Sequence, residues 1–295
     1  MVPQRIPRLQ LLMKTAQSDS DIMKYTKMHG AGNGFVLIDN TGSVLSENDC
    51  RKLAVSLCRE KGTDGLIAIC SADDADVGML FINSDGSVGE MCGNGARCLA
   101  KYAVEHGLSP DPENILIRAE AGIVRARRIT DVIYEVRLND PSYTDAHRPV
   151  KIADKEYDCF YTELGDPGIP HAVVFVDSDP HILSDQLRQT GRALRSAPEF
   201  PKGANVSFVL KTGNNSAKAV TFERGVEDFT LACGTGCGAI ACAFAAADPS
   251  VSQVFIEMPG GDLKVDLTFD GNRISNILLT GPAVAVEEGE TAYIS

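Results

Sequence analysis

Residues 237–247 read Cys-Gly-Ala-Ile-Ala-Cys-Ala-Phe-Ala-Ala-Ala and end at Asp248-Pro249, a helix stop. The run is helical in pattern but has no polar face. A helix that is small and apolar all round must be buried all round. Its neighbours say by what. Residues 253–257, 263–269 and 274–279 alternate like strands, with Asp270-Gly271 as a hairpin turn. The simplest packing wraps a sheet about this helix. A chain of 295 residues, 44 % of them apolar, can fill such a core.

The rest of the chain gives the same elements twice. Residues 46–60 predict a helix that Ser46 caps, that carries Leu53, Val55, Leu57 and Cys58 as an apolar stripe, and that Gly62 stops. Strands at 66–70 and 79–82 follow, then a turn at 83–87. A helix runs from Cys92 to about residue 105, and strands lie at 115–118, 122–128 and 132–138. Polar turn residues at Asn139-Asp140-Pro141-Ser142 mark a candidate boundary. Beyond it come a strand at 172–176, a helix at 184–194, strands at 205–210 and 217–222, a polar turn, and Cys233. This predicts an α+β fold of two similar halves. Near the start, Gly30-Ala31-Gly32-Asn33-Gly34 resembles a dinucleotide loop, but it leads into Phe35–Ile38, a strand pattern rather than a helix. It reads as a turn between two strands, with Asn33 in the turn.

The chemistry lies in a repeated motif, Met91-Cys92-Gly93-Asn94-Gly95-Ala96-Arg97-Cys98 and Ala232-Cys233-Gly234-Thr235-Gly236-Cys237. Each sets a cysteine just before Gly-x-Gly at a helix start. Unpaired backbone N–H groups and the positive end of the helix dipole lie there. Both favour a thiolate, and the same N–H groups can hold a carboxylate.

Nine cysteines, an odd number, in a chain this long imply reduced thiols and a cytoplasmic protein. No Cys-x-x-Cys pair suggests zinc, and the histidines are scattered, so no metal is expected. A net charge of −12 excludes a nucleic-acid or anionic-membrane partner but not a local cationic pocket. No apolar run approaches the ~20 residues of a membrane span. Residues 1–22 read as a loose extension before Met23.

Three readings of the thiols are open. Buried cysteines often serve only as small hydrophobes; that suffices for Cys50, Cys58, Cys70, Cys98, Cys159, Cys237 and Cys242. A single nucleophilic cysteine with a histidine base would explain one motif and leave the other. A pair of thiols on opposite faces of a carbon, one removing a Cα proton and the other returning one, requires two like sites related by approximate symmetry. The sequence supplies that set.

At these residues the chain resembles the diaminopimelate epimerase family of cofactor-independent amino-acid racemases. The matching pieces are Lys27 to Asn33, Asn83 to Ser87, Glu90 to Cys98, Gly203 to Val206, Glu223 to Gly225 and Leu231 to Gly236, in the family's order. The resemblance implies two pseudo-symmetric domains, each a β-barrel-like mixed sheet around a central helix. The first would comprise 23–138 with about 280–295 returning to it, the second 139–279. It implies Cys92 and Cys233 as the catalytic thiols. The Gly93, Asn94, Gly234 and Thr235 amides would hold the reacting carboxylate. Asn33, Asn83, Asn205, Glu223 and Arg224 would grip the substrate, and His171 and Glu223 would tune the thiols. No cofactor is needed; the partner is a small amino acid, and a homodimer is possible. The chain departs from the family pattern at Gly34, at Ile169 before Pro170-His171, and over 225–230. These changes bear on the far end of the substrate pocket. A racemase of another amino acid such as histidine, or a catalytically dead amino-acid-binding protein, are the alternative readings.

Overall fold

The computed structural model describes residues 22–89 and 91–292. The extension expected over 1–22 lies outside the described residues except for Ile22, which opens the first strand. The elements in chain order are β1 (Ile22–Gly30), β2 (Asn33–Asp39), α1 (Glu47–Lys61), β3 (Gly65–Cys70), β4 (Val77–Asn83), β5 (Val88–Gly89) and α2 (Gly93–Glu105). Next come β6 (Ile115–Ala119), β7 (Gly122–Arg128), β8 (Ile133–Leu138), β9 (Pro141–Ile152), β10 (Lys155–Leu164), β11 (Ile169–Phe175) and α3 (Ser184–Arg195). The chain closes with β12 (Asn205–Gly213), β13 (Ser216–Glu223), β14 (Asp228–Thr230), α4 (Gly234–Ala247), β15 (Gln253–Met258), β16 (Gly261–Asp270), β17 (Arg273–Pro282) and β18 (Val284–Ala292).

Strand pairing makes the internal symmetry explicit. At the centre β8 pairs antiparallel with β17, with Arg137 opposite Leu278. From β8 the ladder continues outward through β7, β6, β4, β3, β2, β1 and β18. From β17 it continues through β16, β15, β13, β12, β11, β10 and β9. Both arms show the same series of orientations: antiparallel, antiparallel, parallel, antiparallel, parallel, antiparallel, antiparallel. Each arm carries a short extra strand at the same place, β5 on β4 and β14 on β13. The outermost strands are exchanged along the chain. After β8 the chain crosses to the far edge of the second arm as β9, and after β17 it returns to the far edge of the first as β18.

Each arm folds around one helix. α2 packs on β1, β4, β7 and β8, and α4 on β10, β11, β16 and β17. Ile240, Cys237, Ala241 and Phe244 on α4 are all buried, as a helix without a polar face requires. The fold is the expected α+β arrangement, its two arms joined through β8 and β17 into one mixed sheet, each arm about a central helix. Ser46 caps α1 in a reciprocal capping box with Asp49, and Gly62 closes it in the left-handed conformation.

Three corrections concern strands and a helix start. Pro141 and Ser142 open the long strand β9 instead of a turn. Most side chains of β9 are exposed, so its sequence lacks the apolar alternation that marks a strand. β10 and β18 escaped the sequence reading too. α4 starts at Gly234 rather than Cys237. Glycine disfavours helix interiors but is tolerated in a first turn, where backbone donors are unpaired in any case.

Candidate active site

The symmetry places two helix starts together. Cys92 is the N-cap of α2 at φ −134°, ψ 114°, and Cys233 is the N-cap of α4 at φ −112°, ψ 108°. Both are extended just ahead of the first turn, so the thiols stand in the same relation to their helices. The two starts abut. A Cβ placed on Gly234 would lie 3.8 Å from Gly93 Cα and 3.6 Å from Asn94 Oδ1, and only 2.9 Å from Leu279 Cδ2. A side chain at 234 would therefore displace the Leu279 side chain and lie in van der Waals contact with the start of the other helix. Leu279 of β17 and Leu138 of β8, from the central strand pair, also meet at Gly93.

Around this junction side chains from both arms interlock. The tip of the β1–β2 hairpin turns through Ala31 (φ +52°) and Gly32 (φ +80°). Asn33 follows at the mouth of β2, and its Oδ1 lies 3.7 Å from Cys92 Sγ and 3.2 Å from Asn94 Nδ2. Asn94 Nδ2 also donates to the Ala232 carbonyl, just before Cys233, at 2.9 Å. On the other side Gly236 N–H donates to Cys233 Sγ at 3.4 Å, and Thr235 Oγ1 is 3.7 Å from the same sulfur. Glu223 ends β13; its carboxylate accepts from the Thr230 hydroxyl, and its charge acts on the Cys233 thiol.

The electrostatics correct one expectation. The backbone N–H groups of Gly95 and Asn94 pull the Cys92 thiol down as a helix start should, but burial outweighs them and the net is a rise to about 11. Cys233, only 4 % exposed, is also raised well above the ordinary thiol range, by burial first and the Glu223 charge second, with Gly236 and Thr235 opposing. The Glu223 charge also raises Cys92. One carboxylate thus acts on both sulfurs. Burial favours the protonated thiol at both positions. Burial raises Glu223 as well.

The remaining residues singled out in the sequence sit at the ends or in the body of strands β4, β11, β12 and the turn after β13. Asn205 opens β12 and accepts from Arg224 N–H at 2.8 Å, while Arg224 Nη1 donates to the Lys202 carbonyl at 3.0 Å. Asn83 ends β4 in the place Glu223 holds on β13, and its amide donates to Ser87 in its own turn at 2.9 Å. His171 is fully buried, pairs with Asn205 across β11 and β12, and has no hydrogen-bond partner on either ring nitrogen. Phe35 holds the equivalent position in the first arm, opposite Gly65. Burial first and the Arg224 charge second push His171 down to about 3.

A measurable consequence follows for stability. An unfolded histidine takes up its proton near pH 6.5, but in the fold His171 resists until about 3. Between those values the unfolded chain binds the extra proton, so the contribution of His171 to stability is full above about pH 6.5 and falls with acid by about 1.4 kcal/mol per pH unit. Denaturant midpoints at several pH values should show this slope, and His171→Leu should flatten it. An unchanged slope in the variant would assign the acid sensitivity elsewhere.

Two participants carried no signal of their own in the sequence. Asp64 reads there as a polar residue after a helix stop, but its Oδ2 accepts from Asn33 Nδ2 at 2.6 Å and Gly34 N–H at 2.8 Å. Arg97 reads as one more residue of the cysteine motif, but it is fully buried and donates to Asn94 Oδ1 at 2.9 Å.

With the geometry in place, comparison with known proteins is direct. The family model for diaminopimelate epimerase matches residues 25–135 and 165–286. The chain belongs to the diaminopimelate epimerase family. It is 33 % identical over 280 residues to the diaminopimelate epimerase of Carboxydothermus hydrogenoformans, covering 91 % of this chain and 99 % of that one. With the enzyme of that name from a Hydrogenobaculum species the identity is 35 % over 287 residues, covering 92 % and 99 %. Among solved structures, a PhzF-family phenazine biosynthesis protein from Bacillus anthracis shares the fold at a TM-score of 0.72 and 16 % identity, covering 92 % of this chain and 99 % of that one. A hydroxyproline epimerase from Agrobacterium vitis aligns at a TM-score of 0.67 and 16 % identity, covering 92 % and 91 %. This family member is an isomerase, an amino-acid epimerase. Among the described residues no helix is long and apolar enough to cross a membrane.

Proposed function

We propose that this epimerase inverts one α-carbon of LL-2,6-diaminopimelate to give the meso isomer, using Cys92 and Cys233 as the two proton carriers. The observation that carries the reading is the abutment of two cysteine-capped helix starts, one from each arm. In one direction the Cys233 thiolate takes the Cα proton, and the C–H electron pair is left on the α-carbon and its carboxylate. Cys92 then gives its thiol proton to the opposite face and becomes the thiolate. The reverse reaction exchanges the roles.

The Gly93, Asn94, Gly234 and Thr235 amides suit the substrate carboxylate, where fixed N–H donors stabilise developing charge. Asn33, Asn83, Asn205, Glu223 and Arg224 grip the rest of the substrate, and His171 and Glu223 tune the thiols. A substrate ammonium brings a positive charge beside two thiols held protonated by burial, which favours ionising one of them. With Cys233 only 4 % exposed, admitting substrate requires the site to open. The substrate assignment is supported by the names of the relatives.

The test is α-proton exchange in deuterated water with diaminopimelate and histidine side by side. Label is expected at the α-carbon of diaminopimelate, with inversion. Label in histidine alone would replace the substrate, and tight binding of either without label would replace the activity by binding.

A further inference from the structure

The hydrogen bonds between Arg97 and Asp64 all run one way. Arg97 Nη2 donates to Asn94 Oδ1 at 2.9 Å. Asn94 Nδ2 donates to Asn33 Oδ1 at 3.2 Å and to the Ala232 carbonyl at 2.9 Å. Asn33 Nδ2 donates to Asp64 Oδ2 at 2.6 Å. An amide can face either way, and its two ends differ only in whether they donate or accept. A cation has no acceptor to offer and an ionised carboxylate no donor, so a cation at one end and a carboxylate at the other leave a single consistent orientation for both amides.

We propose that Arg97 and Asp64 are positioning residues, the fixed ends of a directed hydrogen-bond chain that sets the orientations of Asn94 and Asn33 beside the thiols. The inference rests on the two-thiol reading above. With Asn33 held this way, its oxygen faces Cys92 Sγ at 3.7 Å, and an oxygen acceptor favours the protonated thiol. Turned over, Asn33 would present N–H groups to the sulfur and favour the thiolate instead. The same turn would set two N–H donors against each other at Asn94. The chain also joins the arms, because Asn94 ends on the carbonyl that leads into Cys233.

The surroundings fit a built device. The Arg97 guanidinium sits where Gly30 and Gly281 leave room: a Cβ on Gly30 would lie 3.2 Å from Nη2, and one on Gly281 3.3 Å from Cζ. Arg97 Nε reaches the Pro282 carbonyl at 3.4 Å, and Nη1 has no partner. Burial disfavours the Arg97 charge, and the ionisable groups nearest to it are the thiols Cys98, Cys92 and Cys237. A buried cation held by a side-chain amide and a carbonyl is costly to keep for packing alone. Asp64 is exposed, so its replacement leaves the core intact.

The experiment titrates Cys92 by iodoacetamide, read on the Cys92 peptide by mass spectrometry, and measures turnover in parallel. The groups facing Cys92 are Glu223 across the site, with Arg97 and Cys98 from its own helix. Asp64→Ala frees the Asn33 amide. The alkylation midpoint is expected to fall by about half a pH unit, the worth of one ordinary hydrogen bond, and kcat to drop roughly tenfold. Asp64→Asn still offers an oxygen to Asn33 and Gly34 and is expected to regain most of both. Parent-like titration and turnover in Asp64→Ala would overturn the proposal. Equal damage in Asp64→Ala and Asp64→Asn would overturn it too, making the Asp64 charge the cause. Arg97→Lys, which keeps a cationic donor, should lose less than Arg97→Met; if Arg97→Met does not fold, the Asp64 pair decides alone. An inactive parent would remove the functional reading while the Cys92 titration still tests the chain.

Discussion

Cys92→Ala and Cys233→Ala should each reduce epimerisation by at least about a thousandfold, as expected when one member of a cooperating catalytic pair is removed. Inversion needs a proton removed on one face and delivered on the other. Water held without a catalytic base or acid is a poor substitute for either thiol. The two losses should not multiply, since one missing carrier already stops the cycle. Stability should change little by comparison. Cys233 accepts a single backbone hydrogen bond, from Gly236, and losing such a cap costs about 1 kcal/mol. The stronger test is what each variant retains. With Cys92 gone, Cys233 can still exchange the α-proton that faces it, returning deuterium to the same face. Cys92→Ala should therefore label one configuration without inversion, and Cys233→Ala the opposite one. Proton NMR of the two isomers in deuterated water reads this directly. A variant that still inverts, or two variants that label the same configuration, would refute the two-face arrangement.

Much of the architecture could be read along the chain because local signals and tertiary context agree. Ser46 and Gly62 bound α1 as capping chemistry demands, and the apolar run of α4 dictated its own burial. Two of the strands that escaped, β9 and β18, have side chains that mostly face solvent, while β10 is exposed only over its first half and buries residues 159–162 as a continuous run without alternation. β9 and β18 take their strand character from pairing partners, Lys155–Leu164 and Ile22–Gly30, that are remote or across a turn. Recognising the cysteine motif was possible because each Cys-Gly-x-Gly marks a helix start by itself. What sequence could not weigh was the competition at those starts. The dipole and N–H groups lower the thiols, burial raises them, and the balance depends on how closely the arms pack. Asp64 and Arg97 were invisible for a related reason. Their roles exist only through Asn33 and Asn94, and no spacing in the chain records which way an amide faces.

Replacing Glu223 by glutamine should move the whole pH–rate profile toward acid, by about one unit, while lowering its maximum roughly tenfold to a hundredfold. The rate requires one thiolate and one thiol, so the acid limb follows the first ionisation of the pair and the alkaline limb the second. The Glu223 charge raises both Cys92 and Cys233, with Arg97 opposing it at Cys92 and Cys237 adding to it at Cys233. Removing that charge eases both ionisations, and both limbs move the same way. The maximum falls because the carboxylate that accepts from Thr230 gives way to an amide with a single acceptor oxygen and added N–H donors, which disturbs the turn leading to Cys233. Stability should move in the opposite sense to activity. Burial first, and the neighbouring Asp64 charge to a lesser degree, raise Glu223, so the fold holds its proton more tightly than the unfolded chain does. The ionised carboxylate therefore costs stability as pH rises past the ordinary carboxylate range, and Glu223→Gln removes that cost. A variant with a higher denaturation midpoint at neutral pH, a lower turnover maximum and an acid-shifted profile would show a carboxylate kept for its charge. A profile that stays in place would mean that Glu223 serves only to anchor the turn ending at Thr230.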